Sequence, residues 1–327
     1  MREPSRNPLM PDFVGGAVGV RVPATSANLG PGFDALGLAL GLADTVTVEV
    51  TGGGLQIEVG GEGADYVPRD DRHLVVRALR ATFDVLGGQP AGLRLTCVNG
   101  LPHSKGLGSS AAAIVAGVLA ARALVADGEQ RLDDGAVLGL CDRIEGHPDN
   151  VAACLMGGLT IAWRDEDLGA RAARLEPHSD LAPMVCIPAT RSSTAAARGV
   201  LPAQVPFADA AFTGSRSALL VAALTERPDL LLAATEDRLH QQYRAAAAPA
   251  SAGLVASLRA YGIAAAISGA GPTVLALPAT VADAGHIRQL TPAEFTVREL
   301  PVDRGGAQVR RFGDTHGVGV APAAGAL

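Results

Sequence analysis

The sequence predicts an α+β chain folded in two lobes. Three observations carry this. Strand-like and helix-like stretches are mixed, without the strict alternation that builds a parallel sheet. The chain has 327 residues, 48% hydrophobic and 18% charged, enough to bury the cores of two ordinary domains. Loops rich in glycine and proline recur between the elements, so a cleft between lobes is a natural ligand site.

In chain order, residues 17–22 and 45–50 alternate or are β-branched, as strands are, and 55–59 suggests a third strand. Between the first two, residues 23–43 are full of Gly and Pro and read as a functional loop. Residues 71–86 have helical periodicity and stop at Gly87 and Gly88. A strand over 93–98 feeds a loop over 99–108, then a long Ala/Val/Leu helix over 109–126. A helix over 132–145, a break at 146–150, an apolar helix ending at Gly157 and Gly158 and a strand over 159–163 follow. The polar stretch 164–182 holds the domain boundary, which gives an N-terminal domain over 14–175 and a C-terminal one over 176–305. The second half opens with a strand over 184–188 and continues with helices near 207–224, 229–247 and 251–261. A hairpin follows over 263–277, then a helix and a last strand near 295–300. Residues 1–13 and 306–327 read as flexible tails.

A net charge of −6 with no run of like charges argues against a nucleic-acid surface. The N-terminal residues lack the apolar core of a signal peptide, and no stretch is apolar for long enough to span a membrane. A cytoplasmic protein is expected. Cys97, Cys141, Cys154 and Cys186 form neither a C-x-x-C pair nor a zinc pattern, and read as buried small hydrophobes.

The most informative stretch is Pro102, His103, Ser104, Lys105, Gly106, Leu107, Gly108, Ser109, Ser110, Ala111, Ala112. A strand leads in and a helix leads out. Two glycines let main-chain amides approach a ligand, and the helix N-terminus offers free N–H groups and the positive end of its dipole to phosphate. One of Ser109 and Ser110 can cap the helix while the other reaches a phosphate oxygen or Mg²⁺. The pattern is neither a Walker A loop nor a dinucleotide fingerprint. A plainly capped helix is the bland alternative. Lys105, the single lysine, leans toward the phosphates, whereas His103 reads as a solvated loop residue.

The first loop places Asn28 and Asp34 among three turn-formers. An amide and a carboxylate there suit an amino-acid ligand, or else form an Asx turn and a helix cap. Glu145 ends a helix, and Gly146, His147, Pro148, Asp149 and Asn150 follow. Mg²⁺ takes few carboxylates, and Glu145 with Ser110 suits it. Asn150 suits substrate orientation. Asp149 is either a general base or a helix cap, and His147 reads as a turn residue. Thr194 and Arg198 share one helix face, and Asp237, His240 and Arg244 share another. The arginines either clamp an anion or join a surface ion-pair network. Residues 268–273 form a tight glycine turn.

These three glycine-rich stretches, in this order, resemble the motifs of the GHMP kinases. The run from Pro23 to Asp34, the run from Glu145 to Asn150 and the turn from Ser268 to Thr273 are similar to the homoserine kinase branch. The resemblance covers about residues 18–277. It implies an N-terminal lobe like the second domain of ribosomal protein S5 and a ferredoxin-like C-terminal lobe. It implies that residues 102–112 wrap the phosphates of ATP and that Ser110 and Glu145 hold Mg²⁺. It implies homoserine contacts from Asn28, Asp34, Asn150, Thr194, Arg198, Arg244 and Gly269, and catalytic roles for Asn150 and Arg198, with Asp149 the base if the aspartate of other GHMP kinases is used and no base if positioning and charge stabilisation suffice. The implied activity is phosphorylation of the L-homoserine hydroxyl in threonine biosynthesis, by a homodimer. Three rivals are a mevalonate-type kinase, which would not require Asp34, an inactive relative, which should have lost Ser110, Glu145 or the glycines, and a generic nucleotide-binding module, which would leave the first loop and the arginines unexplained.

Overall fold

The computed structural model of the chain describes residues 11–192 and 194–313. The N-terminal lobe is a curved sheet backed by helices. Strands β1 (Ala17–Asn28) and β2 (Gly32–Thr51) form a long antiparallel hairpin, and β3 (Gly54–Gly61) follows. Helix α1 (Leu74–Leu86) leads to β4 (Gly92–Asn99), which pairs antiparallel with β2 and parallel with β3. Then come α2 (Ser109–Ala123), a single turn α3 (Gly128–Arg131), α4 (Asp134–Glu145) and α5 (Pro148–Met156). Strands β5 (Leu159–Asp165) and β6 (Gly169–Leu175) form a hairpin joined to β2 through residues 36–38.

The C-terminal lobe begins with β7 (Met184–Pro188), α6 (Thr194–Gly199) and α7 (Phe207–Thr225). Short pieces α8 (Leu231–Ala234) and α9 (Gln241–Arg244) precede α10 (Pro249–Ala260), β8 (Ala264–Ile267), β9 (Val274–Leu277), α11 (Val281–Leu290) and β10 (Phe295–Glu299). These strands form a four-stranded antiparallel sheet in the order β10-β7-β9-β8. That is the ferredoxin-like order. The last strand among the described residues, β11 (Gln308–Phe312), returns to the N-terminal lobe and pairs with β1.

Helix α2 is central. Eleven of its residues are buried, from Ala111 to Ala123, and apolar side chains surround it on every face. A helix of this composition has no polar face to show water and goes to the middle of a core. Alanines keep it slim, and Gly117 lets α1 approach its main chain: a Cβ there would lie 2.6 Å from the Val75 carbonyl. α1 is amphipathic and stops at Gly87, whose φ of 104° closes the C-terminal turn. The hydrophobic core that includes α2 runs on into the C-terminal lobe through Val185, Ile187, Leu220 and Leu275. The four cysteines are free and buried, and burial pushes the Cys97 and Cys141 thiols up to about 12.

Three expectations give way. Residues 23–43 are strand except at the turn 29–31. Pro23 is tolerated because the register shifts between Pro23 and Ala24, where no regular ladder bond is required of it. The single helix expected over 229–247 is broken between α8 and α9. There the Asp237 carboxylate accepts from the N–H groups of Leu239, His240 and Gln241, a local alternative to helical bonding. Residues 308–312, expected in a free tail, supply β11, and Phe13 bridges to Val125 and packs edge-on against Phe83.

Candidate active site

The loop before α2 lies between the lobes. Ser104, Gly106 and Gly108 all have positive φ, at 59°, 79° and 72°. The two glycines are demanded by space as well: a Cβ on Gly106 would stand 2.4 Å from the Ser268 carbonyl, and one on Gly108 would stand 1.9 Å from Thr25 Oγ1. Gly108 itself is the N-cap of α2, so neither serine caps the helix as expected. The N–H groups of Ser109, Ser110 and Ala111 precede the first helical bond, from Ala112 N–H to the Gly108 carbonyl. They are main-chain donors arranged as a cradle that can hold an anion.

Ser110 Oγ donates to Glu145 Oε2 at 2.6 Å, which joins the start of α2 to the end of α4. Burial raises the Glu145 carboxyl above its ordinary range, and the Ser110 bond opposes that. Hydroxyl and carboxylate are hard oxygen donors, the set that suits Mg²⁺ beside phosphate oxygens. Among the described residues no group of three His, Cys, Asp or Glu side chains is placed to hold a metal. A magnesium ion that shares its ligands with phosphate requires no such group.

The turn at the tip of the β1–β2 hairpin is strained. Asn28, Leu29 and Asp34 take φ of 68°, 50° and 55° without being glycine. Asn28 locks this geometry. Its Nδ2 donates to the Gly269 carbonyl at 2.8 Å, and its Oδ1 accepts from Asp34 N–H at 3.0 Å. Asp34 faces α6, where the Arg198 fork bonds both its carboxylate oxygens at 3.0 and 2.6 Å. Arg244 is buried behind the pair. Its Nε donates to the Ala197 carbonyl, and both guanidinium groups lie over the Phe33 ring, at 5.6 Å for Arg198 and 5.2 Å for Arg244. Burial, followed by the charge on Arg198, lowers the proton affinity of Arg244. His240 is fully buried and stacked on Phe33. It donates through Nε2 to the Gly30 carbonyl and faces Arg244 through Nδ1.

Asp149 is the second residue of α5, and Pro148 starts that helix, earlier than expected. Asp149 Oδ1 accepts from Asn150 N–H at 2.8 Å and meets His147 Nδ1 at 3.1 Å. That bond raises the His147 pKa above its ordinary value. Asn150 Oδ1 accepts from Thr25 Oγ1 at 2.7 Å. Gly37 admits α5 to this position, since a Cβ there would lie 2.5 Å from the Asp149 carbonyl.

One cavity of about 260 Å³ gathers these groups. Asn28, Asp34, Ser104, Gly106, Gly108, Ser109, Ser110, Glu145, Asp149, Asn150, Arg198, Arg244 and Gly269 all line it, as do His147 and Ser192, which sequence reasoning did not assign. Pro102, Lys105, Leu107, Ala111 and Ala112 do not. Leu107, Ala111 and Ala112 are core residues, and Lys105 turns its ammonium away to three carbonyls, contrary to its expected phosphate role. Thr194 starts α6, but its side chain lies outside the described residues. His103, expected in solvent, is half-buried edge-on to Tyr66. It lines a second cavity of about 250 Å³, with Asp44, Val46, Val67 and His73. This cavity shares Ser104, Ser109 and Ser110 with the first. His73 is 6% exposed and its Nδ1 has no hydrogen-bond partner.

Main-chain donors at a helix start, a hydroxyl–carboxylate pair and a small charged pocket on a two-lobed α+β frame are what a small-molecule kinase requires. Residues 73–158 match the model of the GHMP kinase N-terminal domain, and residues 219–289 match that of the GHMP kinase C-terminal domain. The chain belongs to the GHMP kinase family, in its homoserine kinase branch. It is 57% identical to the homoserine kinase of Streptomyces coelicolor over 91% of this chain and 96% of that one. It is 49% identical to that of Mycobacterium tuberculosis, over 85% and 91%. A solved homoserine kinase from Cytophaga hutchinsonii superposes with a TM-score of 0.79 at 26% identity, over 91% of this chain and 99% of that one. No helix among the described residues is long and apolar enough to cross a membrane.

Proposed function

We propose that this chain transfers the γ-phosphoryl group of ATP to the side-chain hydroxyl of L-homoserine, using Mg²⁺. The supporting observation is that one cavity is lined both by the start of α2 and by Asp34, Arg198 and Arg244. The substrate's ammonium takes Asp34 and its carboxylate takes the arginines, which separates the resting ion pair. The triphosphate lies on the N–H groups of Ser109–Ala111, and the nucleoside enters the second cavity, where His73 Nδ1 meets a polar edge of the base. Ser110 and Glu145 would hold Mg²⁺, which offsets phosphate charge when bound. Asn150, fixed by Thr25, and Asp149 receive the acceptor hydroxyl. The hydroxyl oxygen bonds to the γ-phosphorus as the bond to the β,γ-bridging oxygen breaks. ADP leaves with that electron pair, and the hydroxyl proton passes to Asp149, whose carboxylate is oriented by His147. A cytoplasmic homodimer is part of the same reading.

Purified protein with Mg·ATP is tested against L-homoserine, mevalonate, L-serine and L-threonine by ADP release. Release with homoserine well above the others is expected. Turnover of mevalonate alone would keep the phosphate cradle and discard the role given to Asp34.

A further inference from the structure

Lys105 is the only lysine in the chain, and it stands in the loop that leads to the phosphate cradle, outside the cavity the cradle lines. A phosphate ligand would aim its ammonium at the cleft. Here Nζ donates to three successive carbonyls of the other lobe: Pro188 at 2.8 Å, Ala189 at 2.6 Å and Thr190 at 2.6 Å. An ammonium has three donors, so all are used. Those carbonyls sit where β7 ends and the chain runs on to α6, the helix of Arg198.

The main chain of the loop is tied to the same lobe. Ser192 N–H donates to the Ser104 carbonyl at 3.0 Å, and Thr273 N–H to the Lys105 carbonyl at 3.1 Å. Ser268 Oγ donates to the Gly106 carbonyl at 2.6 Å. Lys105 is the charged member of this strap, and its partners are neutral oxygens. The segment it grips lies between the nucleotide loop and the substrate arginine.

We propose that Lys105 is a positioning residue that couples the two ligand sites: its ammonium holds residues 188–190, and through them Arg198, in register with the phosphate loop. The inference rests on the reading of residues 102–112 as that loop. Two of the loop's residues are glycines, whose main chain has the most freedom to lose, and phosphates bound to the N–H groups that follow would reduce it. A nucleotide that orders the loop also orders the strap, and the second ligand then pays less to bind. Reciprocity requires homoserine to tighten nucleotide binding by the same factor.

The test uses the full chain and a non-hydrolysable Mg·ATP analogue. Calorimetry gives the Kd of L-homoserine with and without the analogue, in wild type, Lys105→Met and Lys105→Arg. In wild type the analogue tightens homoserine binding by about 5-fold or more. Lys105→Met abolishes that factor, while its Kd for the analogue alone stays within about 3-fold of wild type. Lys105→Arg, which keeps donors, restores part of the coupling. Loss of analogue affinity by about tenfold with coupling retained would make Lys105 a phosphate ligand and overturn the proposal. So would the absence of coupling in wild type. Because there is one lysine, ¹⁵N-lysine labelling yields a single Nζ resonance, and this measurement needs no variant to fold. An Nζ whose protons exchange slowly with water in the analogue complex is expected, and one exchanging like a free lysine refutes the strap. Homoserine turnover by wild type is followed in parallel, so a failed substrate assignment is told apart from a failed coupling.

Discussion

Replacing Asp34 by Asn tests the substrate pocket most directly. Asn keeps the shape of the side chain and tolerates the positive φ of this position. It removes the charge that pairs with Arg198 in the resting state and, on our reading, with the substrate ammonium. The side chains of Arg198 and Asp34 are 38% and 35% exposed, so the resting pair contributes at most about 1 kcal/mol to stability. The melting temperature should therefore move little. Catalysis should move far more. A hydrogen bond to a charged group contributes about 1.5–3 kcal/mol, and about 1.4 kcal/mol is tenfold. Asp34→Asn should lower kcat/KM for homoserine by about 10- to 150-fold, with the KM for ATP changed by less than about 2-fold. Arg198→Leu should act similarly, and the double variant should lose less than the sum, since the two groups share one ligand. The assay is ADP release with each substrate varied in turn. If kcat/KM for homoserine stays within about 3-fold of wild type, or if the loss falls on ATP, the assignment of Asp34 is refuted.

Three further outcomes follow from the geometry. Ser110→Ala and Glu145→Gln should each raise the Mg²⁺ needed for half-maximal rate by about tenfold, and weaken Mn²⁺ binding in an EPR titration to match. An unchanged metal requirement would move the cation elsewhere. His73→Leu removes the unpartnered Nδ1 from the second cavity and should raise the KM for ATP roughly 2- to 10-fold with that for homoserine unaffected, whereas an unaltered ATP KM would take the base out of that cavity. Burial lifts the Asp44 carboxyl to about 6, although it accepts from Gly100 and Leu101 N–H. Its neutral form therefore favours the fold, a contribution fully present below about 4 and lost as pH climbs through 6. Asp44→Asn keeps an acceptor without the buried charge, so it should raise thermal stability at pH 8, by at most about 3 kcal/mol, and do little at pH 4. Equal destabilisation at both values would refute this account.

The sequence announced most of this molecule where composition and geometry agree. The Ala/Val/Leu run after Gly108 could only be a central helix, and Gly87 marks the end of α1 to the residue. The residues lining the cavity were legible where unusual types cluster on one loop, as Asn28 and Asp34 do. Other features were hidden because the deciding contact is remote in sequence. Nothing local reveals that Lys105 reaches the end of β7, or that Thr25 fixes Asn150 from 125 positions away. His73 precedes an ordinary amphipathic helix, and only its burial beside the phosphate loop singles it out. The stretch 23–43 misled because Gly and Pro normally mark loops. Here the proline sits at a bulge, and Gly37 makes room for α5.

The return of β11 to β1 bears on how this protein is made. The N-terminal sheet lacks this edge strand until residues 308–312 have left the ribosome, after the whole C-terminal sheet, so the first lobe cannot be finished before the second is made. A fragment cut after β6 would expose the free edge of β1, and free edges invite pairing between molecules. The same closure brings Ala17 opposite Phe312 in register, with Gly16 against the Phe312 carbonyl. Residues 17 and 312 are therefore neighbours across one sheet edge. Linking residue 313 to residue 11 and reopening the chain at the exposed tip between β5 and β6 should leave the cleft intact, and would let β11 emerge beside its partner from the start.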